Sequence, residues 1–177
     1  MPPLGLAALA LFLACIPAAN WLIGNVGVVC VPNGPCLIPV APGLMAPSGV
    51  LVIGAALVLR DVVQRMLGAS WALAAIAAGA ALSFAIAPPA LVIASATAFL
   101  LSELADFAVY TPLQRRRLLL AMLASSAVGL FVDSVVFLYL AFGSLDYVAG
   151  QVVGKAWALL LAFPLVRLLR RIAPHPA

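Results

Sequence analysis

Predominantly apolar segments of about 20 residues, the length of a transmembrane helix, constrain the fold of this chain more than any other feature. Of its 177 residues, 67% are hydrophobic and 8% are charged, whereas a soluble domain has about 25% charged residues. Six segments have the required length, at 4–23, 48–67, 70–87, 90–110, 118–142 and 148–169. The sequence therefore predicts an all-α polytopic membrane protein with six transmembrane helices, in which residues 1–177 form a single integral membrane domain.

The segment between the first two predicted spans, residues 26–47, is predicted to be a structured loop. It has no charged residue and contains five prolines, and proline at this density cannot continue a helix. The loop also holds Cys30 and Cys36. If it lies outside the cell, where conditions are oxidising, the two cysteines are candidates for a disulfide. Two unpaired thiols remain the alternative, because spacing alone does not establish the required geometry.

The positions of the arginines predict the orientation, because short cytoplasmic loops carry an excess of Lys and Arg. Arginines lie beside the second connection, between spans four and five, and after span six, namely Arg65, Arg115, Arg116, Arg117, Arg167, Arg170 and Arg171. The other connections have no Lys or Arg. With six spans, this alternation predicts that both termini are cytoplasmic and that residues 26–47 are external. The expected location is the inner or plasma membrane, with the protein spanning it several times.

The remaining composition argues against several other classes of protein. The nine Lys and Arg residues are too few and too scattered to form a surface that tracks phosphates, so no nucleic-acid partner is expected. The one histidine, His175, lies in the tail, so no metal site is expected. No nucleophile with a positioned base and no phosphate-binding glycine loop is visible, so neither an enzyme nor a bound cofactor is predicted.

Six ionisable side chains at predicted membrane depth are the most informative residues. Each costs about 2.5 to 3.5 kcal/mol at the centre of a helix, so each marks a functional site or an internal ion pair. They are Arg60, Asp61, Glu103, Asp106, Asp133 and Lys155. Together they predict a polar centre within the bundle.

Helical spacing shows which of these side chains share a face. Glu103 and Asp106 are three residues apart, and Gln151 and Lys155 are four apart, so each pair projects to one side. Small residues such as Ser102 on the same faces let helices approach closely while polar groups bond across. An unpaired ammonium at membrane depth is costly, and the predicted partner of Lys155 is Glu103, Asp106 or Asp133.

The second span contributes Arg60, Asp61 and Gln64. Asp61 and Gln64 lie near one another on one face, and Arg60 points away from them by about a third of a turn. Two interpretations of Arg60 stay open. Its long side chain reaches the lipid headgroups by snorkelling, or it pairs with an interior carboxylate. With Arg115, Arg116 and Arg117, it is assigned a structural and topological role.

Four short motifs carry a resemblance to a known family. They are residues 59–68 (LRDVVQRMLG), 94–106 (ASATAFLLSELAD), 133–137 (DSVVF) and 154–155 (GK). In order and spacing they resemble the vitamin uptake transporter family, whose best-known members are queuosine precursor transporters. The similarity covers residues 49–171. It implies a six-helix inner-membrane protein that imports a 7-deazaguanine, such as 7-cyano-7-deazaguanine or its aminomethyl analogue.

The implied ligand assigns roles to the polar residues. Glu103 would accept the ring N–H and the exocyclic amine of a guanine-like edge in a bidentate pair. Asp106 or Asp133 would hold neighbouring polar groups, and Gln64, Gln151 or Lys155 would donate to the carbonyl oxygen. Aromatic side chains would stack on the flat ring, with ordinary helix packing as their alternative role. The predicted substrate-binding set is Glu103, Asp106, Asp133, Lys155, Gln151, Gln64, Asp61, Ser102, Phe99 and Trp157, with Phe107 and Phe137 as further stacking candidates.

Two other functions remain open at this stage. One is a vitamin-binding membrane subunit that works with a separate energy-coupling module. The other is a structural or assembly protein whose intramembrane charges form ion pairs. The predicted partners are a purine-like small molecule and the lipid bilayer, and a homodimer is compatible with so small a bundle.

Overall fold

A computed structural model describes residues 3–32 and 34–172 as a bundle of helices with a small β-sheet at one end. The helices are α1 Pro3–Asn25, α2 Val50–Leu67, α3 Ala69–Ile86, α4 Val92–Leu113, α5 Leu118–Phe142 and α6 Val148–Ile172. His175 and the side chains of Arg167, Arg170 and Arg171 lie outside the described part.

Four helical segments of the described chain are long and apolar enough to cross a membrane: α1, α3, α4 with the short turn before it, and α5. The predicted all-α membrane fold is confirmed. Helix α2 is less apolar because it carries Arg60, Asp61 and Arg65. The apolar part of α6 described with its side chains, Val148–Leu161, is shorter than a span. The count of six spans and the cytoplasmic termini therefore stay predictions.

Several helices end at a glycine or a proline, as expected, but α4 does not. Gly68 has φ +97 and separates α2 from α3, a conformation that glycine adopts without a steric penalty. Helix α4 continues through Pro112 to Leu113, three residues past the predicted end of span four. A proline in the last turn removes only one backbone donor. The bond from Gln114 N to Tyr110 O, at 2.9 Å, continues the helical pattern past it.

The proline-rich segment forms strands, which the sequence did not predict. Strands β1 Val29–Cys30, β2 Cys36–Ala41 and β3 Leu44–Pro47 form an antiparallel sheet in the order β1-β2-β3. Pro39 lies beyond the part of β2 that pairs with β1, so on that side β2 is already an edge, where proline is tolerated. Pro42 and Gly43, with φ +73 at the glycine, connect β2 to β3, as expected for a Pro-Gly turn.

Three contacts attach the sheet to the bundle. The Ser48 hydroxyl donates to the Leu22 carbonyl of α1 at 2.7 Å. The Trp157 indole N–H donates to the Val40 carbonyl at 3.2 Å, and Gly150 lies against the Met45 carbonyl. The sheet therefore covers the end of the bundle where α1 finishes and α6 begins. We call this the sheet end.

Close helix packing depends on two glycines. A Cβ at Gly54 would lie 2.9 Å from the Lys155 carbonyl oxygen, and one at Gly79 would lie 2.6 Å from the Phe99 ring. Neither position has room for a side chain, so α2 approaches the backbone of α6 and α3 receives an aromatic ring of α4. Small residues permit such approach between membrane helices.

The structure joins Cys30 and Cys36, which face each other across β1 and β2, in a disulfide, while Cys15 in α1 is free. We predict that the denatured protein, treated with an alkylating reagent, gains one alkyl group without reductant and three after reduction. Intact-mass measurement distinguishes the two. The Cys15→Ser variant should give none and two. Three modified thiols without reductant would contradict the bridge.

Candidate functional site

The predicted polar residues fall into two separate buried groups. We call the first the arginine cluster; it consists of Arg60, Asp61, Gln64, Glu103 and Asp106. The second, the lysine cluster, consists of Asp133, Ser134, Gln151 and Lys155. All nine residues are buried in the bundle.

In the arginine cluster, one guanidinium binds three carboxylates. Arg60 is fully buried, and its Nη1 lies 2.9 Å from Asp61 Oδ1 while its Nε lies 3.2 Å from Glu103 Oε2. Its Nη2 pairs with Asp106. The fork of a guanidinium suits several carboxylates at once, because its N–H donors diverge in one plane. Of the two interpretations of Arg60, the structure supports interior pairing and not snorkelling.

Further polar contacts extend this cluster toward the end of α4. Arg60 Nη1 donates to Gln64 Oε1 at 3.1 Å, and Gln64 Nε2 donates to the Thr111 hydroxyl at 2.9 Å. The Ser125 hydroxyl of α5 donates to Asp61 Oδ2 at 3.2 Å. The Tyr110 ring centroid lies 5.7 Å from Arg60 Cζ, within cation–π range. The cluster therefore ties α2, α4 and α5 together.

In the lysine cluster, an ammonium is surrounded by three oxygens. Lys155 Nζ lies 2.5 Å from Asp133 Oδ2 and 2.9 Å from Ser134 Oγ, and it also donates to Gln151 Oε1. Three acceptors match the three N–H groups of an ammonium. Among the three predicted partners of Lys155, the structure selects Asp133.

A cavity of about 50 Å³ lies beside the lysine cluster and not beside the arginine cluster. Six polar residues line it: Asn20, Ser83, Ser95, Asp133, Gln151 and Lys155. The rings of Phe99 and Phe137 and aliphatic side chains of α1 and α2 complete the wall. The lining residues belong to the halves of all six helices nearest the sheet, and Pro47 and Gly49, between β3 and α2, also line the cavity. The cavity is thus in the sheet half of the bundle.

The structure brings only part of the predicted substrate-binding set to this cavity. Asp133, Lys155, Gln151, Phe99 and the further candidate Phe137 line it. The other predicted residues are absent from its described lining: Glu103, Asp106, Asp61, Gln64, Ser102, Phe107 and Trp157.

Two of these residues, Ser102 and Trp157, have local roles in this structure. Ser102 donates from its hydroxyl to the Phe99 carbonyl at 3.0 Å. The Trp157 side chain is 51% exposed and bonds to the sheet, on the outside of the bundle.

Three polar cavity residues are absent from the predicted substrate-binding set: Asn20 in α1, Ser83 in α3 and Ser95 in α4. Asn20 and Ser83 are each buried in an otherwise apolar stretch. Asn20 donates from Nδ2 to the Ile16 carbonyl at 3.0 Å, so its side-chain oxygen remains as an acceptor. The sequence feature that could have identified them is a neutral polar residue isolated in a predicted span.

The arginine cluster predicts a large stability effect. Replacing Arg60 by Met leaves three carboxylates without their shared cation, and removing one partner of a buried ion pair costs about 3 to 5 kcal/mol. We expect a markedly lower melting temperature in detergent for Arg60→Met, measured by the fraction that remains monodisperse after heating. Adding Asp61→Asn, Glu103→Gln and Asp106→Asn should recover part of the loss. An unchanged melting temperature for Arg60→Met would contradict this role.

A model of the family described as "putative vitamin uptake transporter" matches residues 86–169. No curated protein and no solved structure matches the chain. The matched segment begins at the last residue of α3 and extends into α6, so it contains Glu103, Asp106 and the whole lysine cluster. Residues 86–169, just under half of the chain, are thus similar to the vitamin uptake transporter family, and together with the apolar helices this match supports a multi-pass membrane protein of that family.

Proposed function

We propose that the protein imports a 7-deazaguanine, such as 7-cyano-7-deazaguanine or its aminomethyl analogue, and that this substrate binds in the cavity beside the lysine cluster. The observation that carries the proposal is the composition of that cavity. It combines two aromatic rings, a carboxylate, an ammonium and two amides. A bicyclic base with a polar edge needs these groups, and ligand sites typically pair apolar walls with a few placed polar groups.

The polar groups match the two kinds of edge that a guanine-like ring presents. The described hydrogen bonds of Asp133 use only Oδ2, so Oδ1 can accept a ring N–H or an amine N–H. The amides of Gln151 and Asn20 can donate to a carbonyl oxygen, and Lys155 can do so in exchange for one of its three protein acceptors. Phe99 and Phe137 provide faces on which the ring can stack. In this proposal Asp133 takes the recognition role that the sequence analysis assigned to Glu103.

The depth of the cavity supports uptake from the outside. The positive-inside rule assigns the sheet end to the external side, and the cavity lies in that half of the bundle. The arginine cluster occupies the middle of α2 and the second half of α4. Substrate entering from the sheet end would therefore reach the lysine cluster first, with the arginine cluster below it.

The size of the cavity requires movement during transport. A volume of about 50 Å³ holds a few water molecules, whereas sites for organic ligands measure about 300 to 1,000 Å³. The helices must therefore separate to admit a bicyclic base. Pro47 and Gly49 join the sheet to α2 and line the cavity, so we expect the sheet and α2 to move when substrate enters.

Ligand binding should raise the melting temperature of the purified chain. At a ligand concentration of 100 times Kd, binding to the folded state adds about 2.7 kcal/mol, which corresponds to roughly 5 °C or more. We expect this shift with 7-cyano-7-deazaguanine and not with a 7-deazaadenine, which lacks the carbonyl and ring N–H edge. Gln151→Leu should reduce the shift.

A matched variant tests whether Glu103, the residue assigned to recognition from the sequence, contacts the substrate. Glu103→Gln should retain the ligand-dependent shift even if the melting temperature itself falls, because Glu103 bonds to Arg60 and does not line the cavity. A shift lost in Glu103→Gln and kept in Gln151→Leu would return recognition to Glu103.

Exchanging the charges of the lysine cluster tests whether the pair recognises substrate or only holds α5 to α6. The Asp133→Lys/Lys155→Asp variant keeps an ion pair but moves the carboxylate to another helix. We expect it to fold and to lose uptake of labelled substrate into proteoliposomes that contain only this chain, with Asp146→Asn as the control.

Uptake by the exchanged variant at the normal rate would make the pair purely structural. Binding without uptake by the unaltered protein would instead favour a subunit that needs a separate energy-coupling module.

A further inference from the structure

A second concave site lies at the end of the bundle opposite the sheet. It is an open cavity of about 540 Å³ between the end of α2 and the connection from α4 to α5. Its lining consists of Arg65, Gln114, Arg115, Arg116, Arg117 and the first residues of α5. Nothing in the uptake of a 7-deazaguanine requires this site, because the substrate cavity lies in the other half of the bundle.

The site is strongly positive and has no carboxylate of its own. Four arginines line it and no acidic residue does. The chain contains five Asp and Glu residues in total, and all five lie in the described part. Four of them bind Arg60 or Lys155, and Asp146 accepts from Ser144 in the turn between α5 and α6. None of these five carboxylates pairs with Arg115, Arg116 or Arg117, whose side chains are exposed.

The start of α5 adds backbone donors to the same cavity. The first backbone bond of the helix runs from Ala121 N to Arg117 O at 2.8 Å. The N–H groups of Leu118, Leu119 and Leu120 precede it, and Arg117 provides no side-chain cap. All three leucines line the cavity. Such N–H groups and the positive end of the helix dipole favour a phosphate or another anion.

One buried amide oxygen beside the cavity has no hydrogen-bond partner among the described residues. Gln114 is 8% exposed and lines the cavity, and among the described residues its Oε1 has no hydrogen-bond partner. A buried acceptor without a donor is costly.

We propose that this second cavity, lined by Arg65 and Arg115 to Arg117, binds a phosphate group. The phosphate is either that of an anionic phospholipid headgroup or free inorganic phosphate. Basic pockets at the cytoplasmic ends of membrane helices suit anionic headgroups. The exposed side chain of Leu120 at the rim gives the glycerol backbone and acyl chains an apolar surface. Bidentate N–H bonds from guanidinium groups would hold the phosphate oxygens.

The test is native mass spectrometry of the full chain in detergent, with phosphatidylglycerol, phosphatidylcholine of the same chain length, and inorganic phosphate as separate probes. We expect phosphatidylglycerol to bind at least about tenfold more tightly than phosphatidylcholine. Arg115→Gln/Arg116→Gln/Arg117→Gln should remove that preference. The matched control is Arg167→Gln/Arg170→Gln/Arg171→Gln, which removes the same charge from α6 and should retain the preference.

Each outcome decides between these alternatives. Retention of phosphatidylglycerol only by the protein with intact Arg115 to Arg117 identifies the lipid as the source. Binding of inorganic phosphate with the same dependence identifies a free phosphate. Equal losses in both triple variants would mean a general charge effect and would overturn the site, as would the absence of binding by all three probes. Melting temperatures of both triple variants establish that they fold.

Discussion

The bundle depends on the burial of one guanidinium with three carboxylates. In a low-dielectric interior, an ion removed from water must recover its hydration energy from partners with good geometry. Arg60 does so through Asp61 on its own helix and through Glu103 and Asp106 on α4. These bonds set the position of α4 against α2. They also position Phe99, one turn before Glu103, in the wall of the cavity.

The two charged clusters differ in whether their polar groups line the cavity. In the arginine cluster the carboxylates converge on one cation away from the cavity. In the lysine cluster, Asp133 pairs through one oxygen and lines the cavity together with Lys155 and Gln151. Polar groups that line a cavity can exchange a protein partner for a ligand, whereas groups sealed in packing cannot do so without separating helices. This difference is why the proposed substrate lies beside Asp133.

Much of the candidate site could be predicted as a set of residues, but not as an arrangement. Charged residues inside apolar spans stand out because of their cost in lipid, and all six belong to one cluster or the other. Their distribution between the clusters did not follow from spacing, so Glu103 was assigned to the ligand. The neutral residues Asn20 and Ser83 were missed because one amide or hydroxyl in a span is a weak signal. The strands at residues 29–47 were missed because proline content excludes a helix without specifying an edge position.

The sequence by itself determined that the chain lies in a membrane, that its spans are helices and that its buried charges need partners inside the bundle. Apolar segments long enough to span a bilayer are stable in lipid and not in water. Backbone groups in lipid must form hydrogen bonds within their own helix. The partners themselves were decided by the tertiary structure. Helical periodicity states which residues share a face, but it does not state which neighbouring helix that face meets. Only the packing of α4 against α2, and of α5 against α6, paired Glu103 with Arg60 and Asp133 with Lys155.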